Sequence, residues 1–354
     1  MASIVYSKLE GGTNPFYGQF DKPIKMAILD ESNQQEKEKG ILDFLYVVEK
    51  SNRFGESVIG ESDFDTFMHA GEGQRGENDS VHGTFKKFIE HIAFMKEFTI
   101  TKEMMDDAKF GIGTEMKQRP RKFVRSYYRT RTKIAAWALT HGTEREGVFN
   151  KAKVNLTCCD GEPLFSAEHP YSDDSKMNGL KQSNYFAGAF TSDLATLEVA
   201  IATLAIKMRN FKTDDGETMG YTPDVIIAPC NQPRLEMMLK KLAGTERAAG
   251  SNNNDINTQY GNWTIVVLDG WETSDERFML MSSAANKNLL GNLFFNRVDL
   301  DVRSEVDTHT RNYCWNGYCR FGIGFNAWKH ILLAVNGTDA AATPVTIEPI
   351  EKAE

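Results

Sequence analysis

The chain has 354 residues, 41% hydrophobic and 25% charged, a globular composition long enough for two ordinary domains or one large subunit with extensions. A net charge of −8 and a pI near 5.5 argue against a tight, sequence-specific nucleic-acid binder, whose face would be basic, while allowing a wall that touches a polyanion weakly. No window approaches the roughly 20 apolar residues of a membrane span, and the opening Met-Ala-Ser-Ile-Val-Tyr is not expected to act as a secretory leader.

Residues 1–40 are polar and lack periodicity. Gly11-Gly12, Pro15 and Pro23 interrupt them and a charge run fills 34–39, so this stretch is expected to be a mobile arm. Residues 41–48 form a compact apolar run of strand character, although Leu42, Leu45 and Tyr46 also suit a helix. Residues 54–68 and 84–100 read as two extended arms around a glycine-rich, charged tip at 69–80, hence a long hairpin. Such a hairpin has little core of its own and needs another surface to lie on.

Helix follows. Thr101 is the expected cap, with Glu103, Asp106 and Asp107 where the dipole favours negative charge. Gly111, Gly113 and Pro120 are expected to break it. A longer helix then carries Phe123, Tyr127, Ile134 and Ala138 at helical spacing through Leu139, and His141-Gly142 ends it. Arg119, Arg121, Lys122, Arg125, Arg129, Arg131 and Lys133 crowd its other surface. A solvated face is the ordinary meaning of such a run. The acidic tip at Glu72, Glu77 and Asp79 offers a partner of opposite sign on a neighbouring subunit.

The segment from Asp160 to Tyr171, DGEPLFSAEHPY, holds an acid, a hydroxyl (Ser166) and a carboxylate beside an imidazole (Glu168, His169). A metal-dependent hydrolase could use these groups. The structural reading is stronger. Asp-Gly is turn chemistry, Pro163 and Pro170 push Glu162 and His169 towards extended backbone, and Leu164-Phe165 forms an apolar plug. A single histidine with one adjacent glutamate has no second ligand, so the Glu168-His169 pair is expected to be structural. The five cysteines (158, 159, 230, 314, 319) lack a Cys-x-x-Cys pair. Their odd number suggests reduced thiols, and zinc with His169 or His309 is the weaker alternative.

Residues 193–211 make a clean amphipathic helix through Leu194, Leu197, Ile201, Leu204, Met208 and Phe211, with Ser192 as its expected cap. Residues 224–229 are a short buried strand, and Pro233 opens a helix carrying Leu235, Met238, Leu239 and Leu242. A Gly/Ser/Asn-rich loop at 248–257 precedes strands at 263–268 and 278–281. This α/β unit has no Gly-x-Gly-x-x-Gly and no Walker loop. Residues 293–303 and 313–333 favour β-structure rich in aromatics, with Gly322 and Gly324 marking a bulge or a close approach. Residues 336–354 read as a polar tail.

Leu164-Phe165-Ser166, then His169-Pro170 after the Asp-Gly turn, with Ser183-Asn184 soon after, resembles the major head protein of Mu-like tailed bacteriophages and prophages. That group is a branch of the Hong Kong 97-type capsid proteins, and in it the motif is a structural loop. The order of elements along this chain carries the resemblance further. It implies an α+β fold with an N-terminal arm (1–49), an E-loop hairpin (50–100), a peripheral domain with a long spine helix near 112–141 (101–214), an axial domain (215–310), and a return to the peripheral domain with a tail (311–354). It implies a structural subunit, not an enzyme, without catalytic residues, cofactor or metal. Such subunits form hexamers and pentamers of an icosahedral or prolate head around double-stranded DNA contacted weakly and non-specifically.

The expected location is the virion capsid, with assembly in the bacterial cytoplasm and no membrane partner. Expected partners are portal and head-completion proteins, a scaffold, and in some heads a cement protein. Some relatives carry an N-terminal scaffolding segment. Residues 1–40 are too few for one, so the scaffold is expected to be separate. Inter-subunit contacts are expected at Phe64, Phe67, Glu72, Arg75, Glu77, Asp79, Arg121, Lys122, Arg125 and Arg129. The best-known relative crosslinks its E-loop through a lysine. Residues 69–83 contain none here, so non-covalent association is expected. The alternatives are a cellular nanocompartment shell of the same fold and a hydrolase around Glu168-His169.

Overall fold

The computed structural model of the chain describes residues 15–37, 40–61, 83–107, 114–244 and 259–347, with positions 69, 72, 75 and 257. The first half runs α1 (Pro15–Lys37), α2 (Ile41–Leu45), β1 (Val47–Lys50), β2 (Gly55–Glu61), β3 (Gly83–Glu90), β4 (Ile92–Ile100), α3 (Lys102–Asp107) and α4 (Thr114–Thr140). Short strands follow: β5 (Glu146–Phe149), β6 (Ala152–Asn155), β7 (His169–Pro170), β8 (Lys181–Gln182) and β9 (Tyr185–Gly188). Then come α5 (Leu194–Arg209), β10 (Val225–Pro229), α6 (Pro233–Gly244), β11 (Thr264–Leu268), β12 (Arg277–Met281) and α7 (Ser283–Asn288). The chain closes with β13 (Asn292–Val306), β14 (Tyr313–Phe325), β15 (Ile331–Asn336) and β16 (Thr343–Pro344). Helices and strands mix in the α+β manner.

Much of the segment expected to be a structureless arm is helix α1. Ile24, Ala27, Ile28, Glu31 and Ser32 recur three and four apart and are buried. The polar residues between them mask this stripe in the sequence. The stripe packs on α4, where Arg125 Nε lies 2.5 Å from Glu31 and the Ser32 and Tyr128 hydroxyls are 2.9 Å apart. The apolar run at 41–48 divides between α2 and β1.

Helix α4 spans 27 residues, about 40 Å. Pro120 lies inside it and does not break it, contrary to expectation. Proline removes a helical hydrogen bond at a cost of about 3 kcal/mol. Phe123, Val124, Tyr127, Ile134, Ala135, Ala138 and Leu139 are buried, and that packing outweighs the local penalty. The Thr101 cap is present: its hydroxyl accepts from Met104 N at 3.4 Å. Helix α5 is capped by Asp193, which accepts from Thr196 N at 2.7 Å, and not by Ser192.

Two main sheets form the body. One has the order β1-β13-β14-β4, and the other β11-β10-β12-β15-β9-β16. The second is buried on both faces in its middle: all five residues of β10 and Phe278, Met279, Leu280 and Met281 of β12 are buried. That burial explains their continuous apolar sequence. The region read as a polar tail contributes β16, which pairs with β9.

The hairpin β2–β3 is a separate two-stranded sheet running from Gly55↔Glu90 to Glu61↔Gly83. The second extended arm is split at His91. Beyond it, β4 leaves the hairpin and pairs with β14. The hairpin rests on β14 at the two glycines singled out in the sequence. A Cβ at Gly324 would sit 2.7 Å from Ile89, and one at Gly322 would sit 2.6 Å from the His91 ring. These are close backbone approaches. A small satellite core of Val58, Ile89, Leu293 and Phe295 holds the contact.

Candidate functional site

The Asp160–Tyr171 segment is a closed polar clamp. Gly161 takes φ +82, and Asp160 Oδ1 accepts from Glu162 N at 3.1 Å, the turn expected of Asp-Gly. Leu164 and Phe165 are buried, as the plug requires. The turn aims the other Asp160 oxygen inward, 2.6 Å from His169 Nδ1. His169 Nε2 lies 3.2 Å from Asn184 Oδ1, and its ring stacks on Trp328 with centroids 4.3 Å apart and 9° between planes. Asn184 is fixed in turn. Its Nδ2 donates to the carbonyls of Leu164 (2.7 Å) and Ile331 (3.1 Å), and its Oδ1 accepts from Ser166 N at 3.0 Å.

The partner of His169 is therefore Asp160, not the adjacent Glu168. Extended backbone sends neighbouring side chains to opposite faces. Glu168 points outward to Lys181 Nζ at 2.5 Å, and that ammonium holds its carboxyl below the usual range. His169 is 0% exposed, with oxygens at both ring nitrogens. The imidazole is shut away from solvent and ties the 156–171 loop to the residue before β9 and to the turn before β15. Burial pushes the Cys158 thiol well up and Cys159 up to about 11, the opposite of what a nucleophile needs. Among the described residues no group of three His, Cys, Asp or Glu could hold a metal.

The other candidate surface is the hairpin with helix α4. On β2–β3, Val58, Lys87 and Ile89 face the body, while the opposite face presents Ile59 and Phe88 to solvent. Phe54 at the base, 61% exposed, stacks on Phe88 with centroids 6.4 Å apart. Of the hairpin positions predicted to make contacts, Glu72 and Arg75 are exposed, and Phe64, Phe67, Glu77 and Asp79 lie outside the described residues.

On α4, Arg121, Lys122, Arg125 and Arg129 are exposed, and Lys133 continues the row. Arg125 is engaged within its own chain by Glu31. Arg131 is not part of this face. It is buried, with its guanidinium over the rings of Phe294 (5.2 Å) and Tyr127 (5.5 Å). Among the described residues no ion pair joins Glu72 or Arg75 to the α4 row within one chain. Beside the row, Phe123, Ser126, Tyr127 and Thr130 form one wall of a groove of ≈ 360 Å³, with Phe94, Met95, Lys96 and Leu300 opposite.

Sequence reasoning missed Phe54, Ile59 and Phe88. The signal was present as apolar residues on both faces of a two-stranded element, where one face would normally be polar. It also missed Asp160 as the histidine's partner and the buried Lys87.

No family model matches the chain, and no curated protein matches it. Solved structures are similar over most of their length. One from Mycobacterium phage Patience is 12% identical, covers 96% of this chain and 92% of its own, and has a TM-score of 0.49. The capsid structure of the cyanophage P-SCSP1u is 11% identical over 85% of this chain and 89% of its own, with a TM-score of 0.49. A virus-like particle from Pyrococcus furiosus is 10% identical over 88% of this chain and 98% of its own, with a TM-score of 0.44.

Proposed function

We propose that the chain is a shell-forming capsid subunit of the α+β, Hong Kong 97 type, which assembles with copies of itself around double-stranded DNA. The observation that carries this reading is the hairpin β2–β3: a two-stranded element with a satellite core of four residues that still presents Phe54, Ile59 and Phe88 to solvent. A hairpin of that kind is marginal by itself, and exposed apolar patches mark interaction surfaces. In a shell, each hairpin lies on the next subunit, and a heterologous contact repeated around an axis closes a ring.

Under this reading 1–49 is the arm, 50–100 the E-loop, 101–214 the peripheral domain, 215–310 the axial domain, and 311–354 the return. The acidic tip residues Glu72, Glu77 and Asp79, with Arg75, meet Arg121, Lys122 and Arg129 of a neighbouring α4, where Arg125 is shared with Glu31. Such exposed pairs are worth about 0–1 kcal/mol each and set register. Phe64 and Phe67 add apolar contact, for which the groove beside α4 is a suitable seat. The scaffold, portal and head-completion proteins are separate chains, with or without a cement protein. The subunit has no catalytic role and needs no cofactor. Its place is the virion, assembled in the bacterial cytoplasm.

Negative-stain microscopy of the purified chain, with scaffold supplied, should show closed shells or capsomer rings. A chain that stays monomeric at high concentration would sink the reading. Particle size and contents separate a phage head from a cellular nanocompartment of the same fold. Mature particles boiled in detergent should run as one band near 39.9 kDa, and a ladder of covalent rings would show the association misread. A hydrolase centred on His169 would require turnover by a chain whose imidazole is sealed.

A further inference from the structure

The hairpin's inner face carries one residue that does not belong in a satellite core. Lys87 on β3 is 7% exposed and sits beside Val58 and Ile89. Its ammonium donates to the carbonyl of Thr157 and, at 3.5 Å, to that of Phe325. These acceptors belong to two different segments, the 157–160 loop and the end of β14. Cys158, Cys159 and Asp160 face the ammonium from the loop, and burial lowers its pKa from the ordinary lysine value. A methionine there would fill similar space without desolvating a charge. The lysine instead ties three segments at one point.

The 157–160 loop is itself held on its far side. Cys159 N donates to Asn326 O at 3.0 Å, Cys159 Sγ to Asn326 Oδ1 at 2.6 Å, and Asp160 is bound to His169 at 2.6 Å. Asn155 Oδ1 accepts from Thr157 N at 2.9 Å and from its hydroxyl at 2.7 Å. The loop is thus a short rigid bridge, with the hairpin on one end and the His169 clamp on the other.

We propose that Lys87 is a latch, a positioning residue that fixes the angle of the β2–β3 hairpin to the body and couples it through the 157–160 loop to the Asp160–His169 clamp. The latch is a property of the single chain. Its use, setting the reach of the hairpin towards a neighbour, rests on the assembly reading. The motif that resembles a catalytic segment then has a mechanical role, bracing the part of the molecule that holds the hairpin in place.

Hydrogen exchange on the unassembled chain tests the latch without depending on shells. Lys87→Met should speed exchange of the β2–β3 amides by about tenfold or more, the factor for losing a charge-assisted hydrogen bond, while β10, β12 and β15 keep wild-type protection. His169→Ala should loosen the same hairpin amides in the wild-type background and add nothing further in Lys87→Met. Unchanged hairpin exchange, or a uniform rise across all strands, overturns the latch. Equal His169→Ala effects on the hairpin in both backgrounds overturn the coupling.

Amine acylation of the wild-type protein needs no variant to fold. Lys87 should label far more slowly than its exposed neighbour Lys86, and in step with the hairpin amides. Labelling of the two lysines at equal rates also overturns the proposal. If exchange supports the latch and no shell forms, the assembly reading fails and the latch stands.

Discussion

The six-stranded sheet and the β2–β3 hairpin are opposite solutions to the same problem. In the sheet, β10, β12 and β15 bury Val225, Ile226, Ile227, Phe278, Leu280, Ile331 and Leu332 inside one chain, so its apolar sequence is satisfied without help. In the hairpin, one face finds a small apolar cluster with Leu293 and Phe295, and the other leaves Ile59 and Phe88 more than half exposed. Apolar surface is equally present in both sequences. What differs is that the sheet completes its burial within the chain, while the hairpin's outer face stays open.

The sharpest way to break this contrast is to compare truncations in the two regions. Phe278→Ala, in the fully buried β12, should destabilise the unassembled chain by about 3–5 kcal/mol in denaturant unfolding. Next, His169→Ala should cost about 3 kcal/mol, because it strands the buried Asp160 carboxylate without its partner. It should abolish no enzymatic activity. Stoichiometric zinc in assembled particles that disappears with this variant would contradict the clamp.

A third test uses pH. Burial lowers His330 from 6.5 to about 3, with Nε2 held by Asn292 at 2.9 Å. The unfolded chain takes up this proton below pH 6.5 and the folded chain does not, so stability must fall as pH falls from 6.5 towards 3. The slope is at most about 1.4 kcal/mol per pH unit from this residue. Replacing His330 with an uncharged residue that still folds, such as His330→Gln, should flatten that part of the curve.

Smaller effects sharpen the contrast further. Arg125→Ala leaves Glu31, 2% exposed, without its ion pair. It should cost about 1.5 kcal/mol and free α1 to exchange and proteolysis ahead of the sheet. Smallest of all for the single chain is Phe88→Ser. With the ring 54% exposed, unfolding stability should change by about 0.5 kcal/mol or less, while the yield of assembled particles by sedimentation falls. A Phe88→Ser chain that assembles as well as wild type would remove the hairpin's outer face from the interface.

Particular elements show how far local pattern reaches. Helix α5, strand β10 and helix α6 lie within a few residues of where their periodicity puts them, because each buries one clear stripe or a continuous run. Helix α1 was hidden, since its buried stripe includes Glu31 and Ser32, residues that look solvated until Arg125 and Tyr128 are beside them. Pro120 looked like a break because proline's penalty is local and visible, whereas the packing that overrides it comes from distant strands and helices. At the clamp, Asp160, His169 and their turn chemistry were all visible, and the wrong carboxylate was paired with the ring. Sequence adjacency favoured Glu168, but backbone geometry turned it away.

By itself the sequence determined the alternation of helix and strand, the two extended arms of the β2–β3 hairpin, the long helix with its basic face, and the turn and apolar plug of the Asp160–Tyr171 segment. These follow from hydrophobic period, turn residues and prolines, which act over a few residues. Only the tertiary structure decided that β4 leaves the hairpin for β14, that Gly322 and Gly324 make room for it, that Asp160 holds His169, and that Lys87 reaches through to Thr157 and Phe325. Each of these contacts joins residues far apart in the chain or turned by an intervening bend. Their energies depend on burial and on partners that no local pattern records.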